Sequence, residues 1–188
     1  MLLIYNLVLL EVIPGLYKTL FEQKFYLSFK KYNYLKNQVN YLIISLIILF
    51  HDRTELVDQL TPVVSEEWNH FEKVLEKLKE RGWTLGPPRR DEYVEKISAI
   101  QKKGMSKSRH LVEKLLLNAL IEARSCERFR LLWKEIQDDD LKQFYYELMV
   151  SEAGHYKNFI SLAKLYEDPE YVQNRWKEWL AAEADIVA

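Results

Sequence analysis

Two long helical stretches of this chain each carry the same short polar pattern, Glu67-Trp68-Asn69-His70 in one and Glu152-Ala153-Gly154-His155 in the other. Residues i and i+3 stack on one face of a helix, so each Glu-x-x-His can offer a carboxylate oxygen and an imidazole nitrogen to the same ion. A Glu-rich helical segment, Ile121-Glu122-Ala123-Arg124, lies between the two copies. The repeat constrains the fold: helices distant in sequence must lie side by side for the motifs to act as one site.

The chain has 188 residues, 48% of them hydrophobic, which is enough for one sizeable core and short for two ordinary domains. Five Gly and five Pro fit long uninterrupted helices better than a turn-rich β fold. Lys and Arg number 27 against 28 Asp and Glu, so a globally basic nucleic-acid binder is excluded and any such contact must be regional. Cys126 is the one cysteine, so no internal disulfide forms, and a reducing cytoplasm is the natural setting.

Residues 1–50 differ in character from residues 51–188. Their acidic residues are Glu11 and Glu22, while Lys18, Lys24, Lys30, Lys31 and Lys36 are interspersed among many Tyr and Phe. The apolar runs Met1 to Ile13 and Tyr41 to Phe50 are interrupted or too short for a membrane span of roughly 20 residues, and no basic region precedes the first. No stable membrane association is expected. Pro14-Gly15 breaks any helix begun at Met1, leaving residues 16–50 for one long apolar helix.

From His51 onward the helical frame is regular. A helix is predicted over residues 54–80, with Pro62 in a first turn or marking a restart. Gly82 to Arg90 reads as a loop and Asp91 to Gln101 as a short helix closed by Gly104. Ser106 or Ser108 caps a helix running to residue 135, and Asp138-Asp139-Asp140 opens another over 139–166. Asp168-Pro169 ends that one, and Tyr171 to Val187 forms a C-terminal helix. His51 and His110 read as loop residues. The expected class is all-α: a ferritin-like four-helix bundle with a crossover and extra short helices.

Carboxylates can bridge two metals and change denticity with oxidation state, while neutral imidazole gives each ion a firm nitrogen ligand. The donors suit a non-haem di-iron site of two iron ions. Glu67, His70, Glu152 and His155 are the motif ligands. For the third helix, Glu122 and Glu127 point about 140° apart. The hairpin turn near residue 137 puts Glu122 at the height of Glu152, which favours Glu122 and keeps Glu127 in reserve. Glu122 and Glu127 could instead form surface ion pairs with nearby arginines. Cys126 reads as a packing residue.

The strings Ile121-Glu122-Ala123-Arg124-Ser125-Cys126-Glu127-Arg128-Phe129, Glu66-Glu67-Trp68-Asn69-His70-Phe71 and Ser151-Glu152-Ala153-Gly154-His155-Tyr156 resemble the tRNA 2-methylthio-N6-isopentenyladenosine hydroxylase family of ferritin-like di-iron monooxygenases. The resemblance extends from about Ser45 to Val187. It implies hydroxylation of the isopentenyl group of a modified adenosine in tRNA, with molecular oxygen and electrons from an external donor protein. The family's first helix carries a pattern like Asp-His-x-x-Cys-Glu, whose Glu would fall at Lys36, and no acidic residue occurs between Gln23 and Phe50. Residues 1–43 are therefore expected to stem from a mis-read start, a frameshift or a retained non-coding stretch. The alternative reading is a degenerate, non-catalytic helical protein with an incomplete metal site. For tRNA, Arg89, Arg90, Lys102, Lys103, Lys107 and Arg109 form a basic region, with Trp83 available to stack on an unpaired base.

Overall fold

The computed structural model describes residues 40–84 and 92–187. Among them there are six helices and no strand: α1 at residues 40–49, α2 Thr54–Glu80, α3 Glu92–Ser98, α4 Lys107–Glu135, α5 Asp139–Tyr166 and α6 Pro169–Val187. The expected residues 1–39 and the Gly86-Pro87-Pro88 loop lie outside the described residues.

Local chemistry sets the ends of these helices. Gly82, with φ 68°, ends α2 in a left-handed turn in which Trp83 N donates to Leu78 O (2.9 Å) and Gly82 N to Lys79 O (3.0 Å). Ser106 caps α4 by accepting from Arg109 N at 3.3 Å, and Asp138 caps α5 by accepting from Leu141 N at 3.1 Å. Four expectations are corrected. Pro62 sits inside an unbroken α2: it is on the exposed face, so the carbonyl it leaves without an amide partner can meet water. α3 stops at Ser98 rather than Gln101. His110 belongs to the first turn of α4, not to a loop. α6 starts at Pro169, whose missing N–H costs nothing at a helix start, with Asp168 accepting from Tyr171 N at 2.8 Å.

The short turn at Ile136 to Asp138 makes α4 and α5 an antiparallel pair. The end of α2 meets the start of α5 through Lys77 to Asp140 (2.9 Å) and Arg81 to Asp138 (3.3 Å). At the other end, Lys107 at the start of α4 reaches Asp52 (2.9 Å) in the α1–α2 link. Hence α2 and α4 run parallel, and the chain between them crosses the length of the bundle, carrying α3 along the way.

Two apolar clusters fill the core. The first contains Leu56, Leu60 and Val63 of α2, Leu111 to Ile121 of α4, and Phe159, Leu162 and Ala163 of α5, with Ile43, Leu46 and Phe50 from the N-terminal side and Val172, Trp176 and Trp179 of α6. The second contains Val74, Leu78, Phe129, Ile136, Leu141, Phe144, Tyr145 and Leu148. On α2 the gap between clusters spans residues 64–73, on α4 122–128 and on α5 149–158. The three gaps fall at one height, and there the bundle holds its polar layer.

Candidate metal centre

Glu67 and His70 continue the buried stripe Leu56, Leu60, Val63, Phe71, Val74 of α2, while Glu152 and His155 continue Leu141, Phe144, Leu148, Phe159 of α5. Glu122 comes from the wholly packed middle of α4. Glu67, Glu122 and Glu152 have no exposed surface, and His155 is 4% exposed. One ligating atom from each of Glu67, Glu122, Glu152 and His155 can be chosen so that all lie within 4.8 Å of one another. His70 flanks this group, with Nδ1 3.4 Å from Glu67 Oε1 and 3.8 Å from Glu152 Oε1, and its ring lies 6.0 Å from that of His155. The two motif carboxylates therefore stand within reach of both imidazoles.

Ionised carboxylates are costly to bury unless cations accompany them. His155 supplies part of that charge: its Nδ1 is 2.9 Å from Glu67 Oε1 and its Nε2 is 2.9 Å from Glu66 Oε2. Burial disfavours the imidazolium, but the hydrogen bond and charge of Glu67, with Glu152 and Glu66, outweigh it and raise the pKa above the usual histidine value. A metal ion can take the place of the proton between Nδ1 and Glu67, because metal binding and protonation compete for the same lone pair. The donor set of carboxylate oxygens and imidazole nitrogens suits a first-row transition ion rather than calcium, which takes oxygen alone. This buried group can hold a metal ion.

The layer adjoins a cavity of about 110 Å³ along the α2–α5 seam, lined by His70, Lys73, Phe144, Glu147 and Leu148. Lys73 and Glu147, both half-exposed, stand 3.8 Å apart beside it.

Of the two α4 carboxylates, Glu122 enters the cluster, whereas Glu127 is exposed and pairs with Arg124. Arg124 also binds the buried Glu183 of α6, which accepts from Tyr93 Oη at 2.6 Å. Burial, then the Glu183 hydrogen bond, push the Tyr93 phenol well above its ordinary pKa. Cys126 is partly buried, and burial raises its thiol pKa. The described residues of the expected basic region lie at different heights of the bundle. Trp83 is half-buried against the second apolar cluster, beside the end of α2, while Lys102 lies near Glu113, close to the start of α4. From the level of Glu113 to that of Phe129 is roughly 24 Å along α4. Lys102 is paired with Glu178 at 2.7 Å, Lys103 is exposed, and Lys107 and Arg109 pair with Asp52 and Glu167. Arg89, Arg90 and Lys36 lie outside the described residues. Glu66 was not singled out from sequence, because an exposed Glu beside a ligand looks like ordinary surface.

The family model described as tRNA-(MS[2]IO[6]A)-hydroxylase (MiaE) matches residues 27–188, beginning earlier than the Ser45 expected. A tRNA 2-(methylsulfanyl)-N(6)-isopentenyladenosine(37) hydroxylase of Pseudomonas putida is 33% identical over 144 residues, covering 77% of this chain and 69% of the relative. One of the same description from Salmonella typhimurium is 34% identical over 139 residues, covering 71% of this chain and 48% of the relative. Among solved structures, a Synechococcus protein with aldehyde deformylating oxygenase activity superposes with a TM-score of 0.79 at 27% identity, covering 84% of this chain and 77% of its own. No helix among the described residues is long and apolar enough to cross a membrane.

Proposed function

Because the chain belongs to the tRNA-(MS[2]IO[6]A)-hydroxylase (MiaE) family, we propose that its buried Glu/His layer is the oxygenase centre that hydroxylates the isopentenyl group of 2-methylthio-N6-isopentenyladenosine in tRNA. The observation that carries this reading is the convergence of Glu67, Glu122, Glu152 and His155, all buried, on one position between two apolar clusters. A bundle that needed only stability would fill that layer with apolar side chains.

The residues present fit two iron ions. Glu67, Glu122, Glu152 and His155 would hold the metal, with His70 beside Glu67 and Glu152 as a further nitrogen donor. When bound, iron supplies the redox chemistry by which dioxygen and electrons from an external donor protein place one oxygen atom on the substrate and release the other as water. The chain's own side chains would hold the metal, and the apolar clusters on either side would keep bulk water from the layer. Contact with tRNA is assigned to Trp83, Arg89, Arg90, Lys102 and Lys103. Since Trp83 and Lys102 stand at different heights of the bundle, they would touch separate parts of so large a partner. A tRNA substrate and a lone free cysteine suit the cytoplasm.

The test is direct. Ferrous-loaded protein, a chemical reductant and isotope-labelled dioxygen are mixed with tRNA from a strain lacking the hydroxylated nucleoside, and digested nucleosides are read by mass spectrometry. One labelled oxygen on the isopentenyl nucleoside is expected. Protein that binds iron but leaves the nucleoside unchanged would point to the non-catalytic alternative.

A further inference from the structure

We infer that Glu66 is a positioning residue for the metal centre, acting through His155; this rests on the reading of the Glu/His layer as a metal site. Glu66 precedes Glu67 on α2 yet faces another way: its side chain is 56% exposed and lies over the α2–α5 seam. There Oε2 stands 2.9 Å from His155 Nε2. A carboxylate can only accept, so Nε2 carries the hydrogen and donates it. The remaining nitrogen, Nδ1, points inward, 2.9 Å from Glu67 Oε1 within the four-residue group. Adjacent glutamates of one helix thus hold the two edges of one imidazole from the neighbouring helix.

That arrangement fixes two variables of a histidine ligand. The proton on Nε2 leaves the Nδ1 lone pair for the metal, and the Glu66 bond sets the ring's rotation about its side-chain torsion. Partners of this kind raise the basicity of the ligand and typically contribute 10–100-fold to metal affinity or activity. His70 is held differently: its Nδ1 faces Glu67 at 3.4 Å and Glu152 at 3.8 Å. The effect of Glu66 is accordingly on the His155 position.

The test uses the full chain and cobaltous ion as a spectroscopic probe, titrated into metal-free protein and followed by visible ligand-field absorption. Glu66→Ala is expected to weaken cobalt binding by about 10-fold or more and to change the absorption envelope, while Glu66→Gln, whose amide oxygen can still accept from Nε2, recovers most of the affinity. A substitution that merely loosened the fold would lower the melting temperature of metal-free protein for both variants and would not separate Ala from Gln. Equal cobalt affinity and identical spectra for wild type and Glu66→Ala would overturn the inference. Absence of cobalt binding by the wild type would instead overturn the metal-site reading itself.

Discussion

The ion pair between Arg175 of α6 and Glu113 of α4 offers the sharpest test of how the crossover is anchored. Arg175 Nε donates to Glu113 Oε1 at 2.6 Å and Nη2 to Oε2 at 2.8 Å, while Nη2 also reaches Ile100 O at 3.0 Å and Lys102 N donates to Glu113 at 3.0 Å. Glu113 has no exposed surface and Arg175 is 4% exposed. The hydrogen bond to Glu113, opposed by burial, raises the arginine pKa further, so the guanidinium is charged at any working pH. Arg175→Met keeps most of the side-chain bulk but strands a buried carboxylate with one backbone donor. Breaking such a pair on one side costs about 3–5 kcal/mol. At about 2–4 °C per kcal/mol for a chain of this size, the melting temperature should fall by roughly 6–20 °C. The double variant Arg175→Met with Glu113→Leu removes the stranded charge and should recover most of that loss, to within about 1–2 kcal/mol of wild type. Urea denaturation of the four proteins of this cycle gives the coupling. A single-variant loss under about 1 kcal/mol, or a double variant that merely sums the two singles, would refute the argument that the clamp is a dry, bidentate pair.

Two further outcomes follow from the geometry. Glu122→Ala should abolish most of the melting-temperature rise that saturating ferrous ion produces, a rise worth about 2.7 kcal/mol when the metal stands at 100 times its dissociation constant, while Glu127→Ala should leave that rise intact; the reverse pattern would move the α4 ligand to Glu127. Asp140 is held below the ordinary carboxylate pKa by its hydrogen bond to Lys77, whose own pKa is raised by the same bond. The Asp140 contribution is therefore present above the unfolded carboxylate value and is lost as pH falls through the lower folded value, whereas that of Lys77 is complete below its unfolded value and is lost only in strong alkali. Both side chains meet water, so Asp140→Asn should cost under about 1 kcal/mol at pH 7, shrink with added salt, and cost nothing once the pH is low enough to protonate the wild-type carboxylate, as read by urea denaturation at each condition.

What could be read from the sequence depended on whether neighbours in space were tied by a rigid, countable element. Glu122 could be matched in height to Glu152 because α4 and α5 join through a short turn and each residue adds a constant rise, so distance from the turn gives position along the bundle. The ends of α2 and α5 were legible for a similar reason: Gly82, Asp138 and the Asp168-Pro169 pair act locally, through backbone bonds within a few residues. Pro62 misled because its cost depends on which face meets water, and that is set by tertiary packing. Trp83 and Lys102 stand apart for a topological reason. α2 and α4 run parallel, so the segment joining them must travel from one end of the bundle to the other, and residues close in sequence across it are carried apart. The buried acids Glu113 and Glu183 gave no signal in sequence because their partners lie far along the chain. Their cations are Arg175, on α6, and Arg124, on α4, and it is the docking of α6 beside α4 that brings each charge to its partner. Glu66 belongs with them, since the role inferred for it depends on a histidine of α5, the second helix of another hairpin, and not on anything within its own helix.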